Sequence, residues 1–276
     1  MKNIIVPVDF SPNSERALKA AKIIVGKRAR KLIIIHAYQP YIPDISIPTA
    51  IDIPIDAELE NSFRAKLKQY VEQAREEGYE AEAFLGIGSV HTVVFDAIKQ
   101  YDSVGVVIGR TGSGGFFDKL IGSSATSIAL DAPCPVLIIP PESKEPEAFK
   151  KIVYATQLEY DENHILGDVL PLVRELQGDL TFLKVLAPHQ PNIQPDAQFI
   201  TQIQEAFGIP DDHFITREAN SISEGLSSYC DENDTELLIV STRQRGFLEA
   251  FIINPSITRK LVVNTHIPLL VYHIKE

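Results

Sequence analysis

Short runs of apolar, β-branched residues alternate along this chain with helical periodicity, and the alternation runs through twice. Ile4 to Val8 is a run of the kind a buried parallel strand uses. Ser11-Pro12 supplies an N-cap followed by proline at the first helical position, and Ala17, Leu18, Ala21, Ile24 and Val25 then recur at helical spacing. Leu32 to Ala37 predicts a second strand, and the proline-rich stretch Gln39 to Pro54 reads as a loop. Leu59, Phe63, Leu67, Val71 and Ala74 mark a helix that Gly78 ends, and Glu80 to Leu85 alternates like a strand near a sheet edge. Ser89 caps a helix through Val93, Val94, Ala97 and Ile98. Val104 to Ile108 is the fourth strand, a helix is expected from about Ser123 to Leu130, and Val136 to Ile139 is the fifth strand. Such alternation closes into an α/β fold, a parallel sheet covered by helices on both faces.

Pro140 to Pro146 is charged, proline-rich and free of large apolar residues, so it reads as a linker. The order then begins again. Ile152 to Ala155 answers Ile4 to Pro7, and Leu180 to Val185 answers Leu32 to Ala37. Leu237 to Val240 answers Gly105 to Ile108, and Pro268 to Val271 answers Pro135 to Ile138. The period is a whole domain, which is duplication rather than a solenoid. Two domains are expected, residues 1–141 and 149–276. With 276 residues, 45% of them hydrophobic, each can bury its own core.

Composition narrows the function. No apolar run approaches a membrane span, and the N-terminal run stops at Pro7 and Asp9, too short for a signal peptide. A cytoplasmic protein with no membrane partner is the expectation. Cys134 and Cys230 lack metal or redox spacing and read as small core residues. A net charge of -11 argues against a nucleic-acid partner. It leaves room for one small anion held by backbone amides.

One constellation carries chemistry. Gly109 and Gly112 follow the fourth strand, and nine residues later Gly122-Ser123 opens a helix. Glycines leave no Cβ to block a close ligand, and a strand feeding a helix through such a loop presents free amides and a helix dipole to phosphate. In an open parallel sheet the ligand crevice lies at the carboxyl ends of the strands, where this loop falls. Arg110 and Lys119 are candidate phosphate neutralisers, although solvated surface positions suit both better.

On these residues the chain resembles the universal stress protein family, in its ATP-binding branch. The resemblance covers each half. It rests on Val6-Pro7-Val8-Asp9-Phe10-Ser11, on Leu32 to Ala37, and on the spaced glycine loop ahead of Pro135-Val136-Leu137-Ile138-Ile139. It implies two tandem five-stranded parallel sheets of strand order 3-2-1-4-5, the adenine nucleotide alpha hydrolase-like fold. It also implies a nucleotide across the ends of strands one and four. Carried over, Asp9, with Pro7 and Val8 before it, faces ribose and adenine, and the backbone at Ala37 meets the adenine edge. Ile108 and Gly109 lead into the loop. The amides of Gly112, Gly122 and Ser123, with the hydroxyls of Ser123 and Ser124, take the phosphates. Ala125 stands where some members have a hydroxyl. The implied ligand is ATP or another adenine nucleotide, with Mg left open. Asp9 has a second reading, as a turn or cap residue ahead of Ser11-Pro12.

The second half departs from the pattern. Gln157 takes the place of Asp9, and Ser241-Thr242-Arg243-Gln244 and Asn254-Pro255-Ser256 replace the glycines. One nucleotide site per chain is therefore expected. The histidines show no metal spacing, and His36, inside a strand, reads as a satisfied core residue. No general base stands beside the loop. A regulatory module whose ligand state is read by an unidentified protein partner is the first functional reading. A slow ATP hydrolase or nucleotide-handling enzyme is the alternative. The resemblance also implies that Val136 to Ile139 pairs with Leu269 to His273 as an internal pseudo-dimer, with homodimerisation through another face left open.

Overall fold

The computed structural model describes residues 2–26, 30–39, 55–110, 123–156, 162–188, 196–243 and 255–274. The chain divides into two compact units, residues 1–108 and 109–276.

The first unit runs β1 (Lys2–Pro7), α1 (Pro12–Val25), β2 (Arg30–Tyr38), α2 (Ile55–Glu76), β3 (Glu80–Ile87), α3 (Val90–Tyr101) and β4 (Ser103–Gly109), whose last residue begins the second unit. The strands lie in the order β3-β2-β1-β4 and all pair in parallel. Ile5, Val6 and Leu32 to Ile35 form the middle of this core, closed off from solvent as their uninterrupted apolar runs require. Both predicted caps are made: Ser11 Oγ accepts from Ser14 N–H at 3.2 Å, and Ser89 Oγ from Thr92 N–H at 3.1 Å. Gly78, at φ 92°, ends α2 as expected. Leu67, Val71 and Ala74 carry the buried face of that helix, whereas Leu59 is exposed near its start. Gly86 is required by packing, since a Cβ there would lie 2.4 Å from the Val93 side chain on α3.

The second unit contains α4 (Ser123–Asp131), β5 (Val136–Ile139), β6 (Lys151–Ala155), α5 (Asn163–Leu176) and β7 (Asp179–Leu186). It continues with α6 (Asp196–Phe207), β8 (Phe214–Glu218), α7 (Ile222–Glu232), β9 (Leu237–Arg243), α8 (Pro255–Asn264) and β10 (Leu269–Ile274). Its strand order is β5-β10-β9-β6-β7-β8. From β8 back to β10 this is the 3-2-1-4-5 arrangement, all parallel. β5 pairs antiparallel with β10, Leu137 opposite Leu270 and Val136 opposite Val271, so the two fifth strands cover each other's edges. His273 Nε2 lies 2.9 Å from the Ala129 carbonyl at the end of α4.

The segment read as a linker is packed rather than a free tether. Ser143 is buried, and its hydroxyl donates to the Pro140 carbonyl at 2.8 Å. Phe149, just beyond, is fully buried. Both cysteines are buried, and neither forms a disulfide.

Candidate functional site

In the first unit β1 has β2 on one side and β4 on the other, so the chain winds in both directions from this strand. That switch point opens a crevice outside the carboxyl ends of β1 and β4. Pro7, Val8 and Asp9 stand at the first of these ends and Ile108 and Gly109 at the second. Ala37 is half-buried near the end of β2, in register with Gly86.

The backbone leaving β1 is held tightly. Val8 N–H donates to the Ile35 carbonyl at 2.8 Å, and the Val8 carbonyl lies 2.7 Å from Nδ1 of the buried His36. Phe10 then adopts φ 63°, a left-handed conformation uncommon for a residue with a bulky side chain. Its ring sits 4.6 Å from His36 and 5.9 Å from Tyr70, with Lys66 Nζ 5.0 Å above it. These contacts offset the backbone cost and turn Asp9 outward, where it is exposed. Ser11 N–H and Ser11 Oγ both donate to Asp9 Oδ1, at 3.0 and 2.5 Å. Partial burial pushes the Asp9 carboxyl up, but hydrogen bonds from Ser11 and Ser14 outweigh it and hold the group below the ordinary aspartate range. The turn role foreseen for Asp9 is therefore made, and the carboxylate stays ionised.

Beyond Gly109 the structure corrects one reading. Arg110 is buried, not solvated. Its Nη1 donates to the Val262 carbonyl at 2.8 Å and also to that of Val263, and its Nη2 donates to Glu142 Oε2 at 2.8 Å. The guanidinium caps the carboxyl end of α8, where the helix dipole favours a cation. Gly112, Lys119 and Gly122 lie outside the described residues. Ser123 opens α4, Ser124 is half-buried, and Ala125 is buried.

In the second half Gln157, Gln244 and Asn254 also lie outside the described residues. Ser241 and Thr242, both buried, occupy the end of β9, and Pro255 opens α8. Sequence reasoning missed a set of buried polar residues here: Tyr154, Thr156, Glu162 and Lys184. The available signal was a lysine between Leu183 and Val185 in an apolar strand, and hydroxyls where the first half has Val6 and Val8. Among the described residues no group of three or more histidine, cysteine or acidic side chains is arranged to hold a metal.

Comparison with known proteins agrees with the fold. The universal stress protein family model matches residues 1–140. A universal stress protein of Thermus aquaticus is 27% identical over 148 residues, covering 50% of this chain and 98% of its own. Universal stress protein YxiE of Bacillus subtilis is 27% identical over 144 residues, 49% of this chain and 97% of its own. The crystal structure of a universal stress protein from Archaeoglobus fulgidus matches with a TM-score of 0.74 over 99% of this chain and 97% of that one. At 18% identity that likeness concerns the fold alone.

Proposed function

The chain belongs to the universal stress protein family, and from that premise we propose that its first domain, residues 1–141, binds ATP or another adenine nucleotide. The protein then acts as a cytoplasmic regulatory module of the stress response, with a second domain at residues 149–276. The observation that carries this reading is the loop spacing: Gly109, two residues, Gly112, nine residues, Gly122-Ser123, directly after β4. A strand that leaves a switch point through such a loop into a helix offers amides and a dipole to phosphates, without cationic side chains. This suits a loop in which Arg110, next to Gly109 in sequence, is committed to the carbonyls of α8. An ionised Asp9, with Oδ1 already taken by Ser11, offers Oδ2 to the ribose hydroxyls. Mg enters with the phosphates rather than through a protein-built cage. A protein partner reads the ligand state.

Isothermal titration of the full chain with ATP tests the reading. One site per chain is expected, because the second half lacks all three glycines. Two equivalent sites would overturn the asymmetry. Gly122→Val should abolish binding in a folded protein, and unchanged affinity in that variant would remove the loop from the site.

A further inference from the structure

Arg110 is the first residue past β4 and stands two residues before Gly112 of the loop. Its backbone N–H donates to the Ile139 carbonyl at the end of β5, at 2.9 Å. Its side chain runs to α8, where Nη1 donates to the Val262 and Val263 carbonyls, and Nη2 donates to Glu142 Oε2. In the duplicated order Arg110 belongs to the first repeat and α8 to the second, and both lie in the second compact unit.

The last carbonyls of a helix have no partner within it. In α8 they belong to Leu261, Val262, Val263 and Asn264. Thr265 N–H takes that of Leu261 at 2.8 Å, and Arg110 takes the next two. Val262 is closed off from solvent, so without the guanidinium its carbonyl has no water to turn to. The end of α8 therefore has two arrangements, anchored and frayed, and Arg110 decides between them. A change there reaches the surface, because His266 Nε2, just beyond the helix, lies 2.7 Å from Asp231 Oδ1 on α7 and both side chains are about half exposed.

The anchor is particular to the repeat that carries the glycine loop. Thr156 N–H donates to the Leu183 carbonyl as Val8 N–H does to that of Ile35, which makes Tyr154 the counterpart of Val6. With Ile5 paired to Val106 and Tyr154 to Ile239, Ser241 is then the counterpart of Gly109 and Thr242 that of Arg110. Threonine brings no cation to a helix end, and α4, the counterpart of α8, meets His273 from β10 instead. Gly109 and Arg110 are thus replaced together in the second repeat.

A ligand that fixes the backbone leaving β4 also fixes the root of this side chain. If the anchored arrangement holds that ligand better, binding shifts α8 toward it. We propose that Arg110 is a positioning residue that couples nucleotide occupancy of the glycine loop to the carboxyl end of α8, so that this helix end reports the ligand state. The proposal rests on the nucleotide reading of the first domain. Coupling of this kind is reciprocal: the factor by which ATP favours the anchored end is the factor by which the anchored end favours ATP.

The experiment is amide hydrogen exchange of the full chain with and without saturating ATP, together with calorimetric titration of ATP, in the natural protein and in Arg110→Met and Glu142→Ala. The probes are the amides of Thr265, bonded to Leu261, and of Ile267, bonded to Thr265 Oγ1 at 3.1 Å. The reference is Ala219 N–H, which donates to the Leu186 carbonyl at the other end of the unit's strand order. In the natural protein ATP should slow both probes by roughly fivefold or more beyond any slowing at Ala219. Arg110→Met should lose that excess and bind ATP roughly fivefold or more weakly, and Glu142→Ala should move both readings the same way by less. Equal slowing at probes and reference overturns the proposal, since a ligand then stabilises the fold as a whole. So does full ATP affinity in folded Arg110→Met. Tighter binding in Glu142→Ala would make Arg110 a phosphate ligand released from its carboxylate, and overturns it too. Should Arg110→Met not fold, the natural protein and Glu142→Ala decide. Binding without coupling removes this proposal alone, whereas no ATP binding by the natural protein removes the nucleotide reading and the proposal with it.

Discussion

The imidazole Nδ1 of His36 lies 2.7 Å from the carbonyl oxygen of Val8. A carbonyl only accepts, so Nδ1 carries the proton, and in the neutral ring Nε2 is the bare nitrogen. The ring also packs between Phe10 and Phe63, with centroids 4.6 and 4.4 Å away. It thereby ties β2 to the last turn of backbone before Asp9. His36→Phe keeps an aromatic body and removes the donor. It should lower stability by about 1–3 kcal/mol, the cost of leaving a buried carbonyl unpaired, and weaken ATP binding through Asp9. Urea denaturation and calorimetric titration of the same variant measure the two effects. Unchanged stability would show that the carbonyl finds another donor.

Arg110 holds three acceptors with one planar group: the carbonyls of Val262 and Val263 and the carboxylate of Glu142. A lysine cannot span that fork. Arg110→Lys should therefore cost about 1–3 kcal/mol, and Arg110→Met somewhat more, because the helix end loses its cation as well. Amide hydrogen exchange near Asn264 to His266 should accelerate in both. Equal protection in the lysine variant would mean that charge alone caps α8.

The strands were legible because short β-branched runs such as Ile4 to Val8 and Leu237 to Val240 have few other ways to hide. The caps at Ser11 and Ser89 were legible because capping is local. Arg110 was misread because its partners at Val262 and Val263 lie more than 150 residues away, and sequence showed only a cation beside glycines. The left-handed backbone of Phe10 had no local signature, since the rings that support it come from β2 and α2. The buried face of Glu162 and Lys184 was hidden for the same reason: a charged residue declares its burial only once the strands have been paired.

His273 supplies a pH dependence. Its Nε2 donates to the Ala129 carbonyl at 2.9 Å, while its Nδ1 is buried without a partner. Burial pushes its pKa below the ordinary value, more strongly than the Ala129 and Leu130 carbonyls and the charge of Asp131 pull it up. The folded state therefore prefers the neutral ring. The stability this confers is complete above the unfolded value, near about 6.5, and is lost as pH falls below it through the folded value. His273→Gln retains a donor for Ala129 without the titration. Between about pH 7 and pH 5, the natural protein should lose more unfolding free energy than the variant. The difference in slope should be no more than about 1.4 kcal/mol per pH unit. Denaturation curves at several pH values measure it, and parallel slopes would remove His273 as the source.

The polar face of the second half makes two substitutions on one sheet surface act in opposite directions. The Ser241 hydroxyl is buried beside the Tyr154 phenol without a well-formed hydrogen bond. Ser241→Ala should leave stability unchanged or raise it by up to about 1 kcal/mol, because the methyl has nothing to desolvate. Thr156→Val has nearly the same shape but removes the hydroxyl that donates to Glu162 at 2.5 Å. A carboxylate 1% exposed then loses a charge-assisted bond it cannot replace from water, and the cost should be about 2–4 kcal/mol. Chemical denaturation at neutral pH compares the two directly. The opposite signs follow only if Thr156 is there to orient Glu162 and the Ser241 hydroxyl adds little to the fold. A clear loss of stability in Ser241→Ala would make its hydroxyl a structural member of the network.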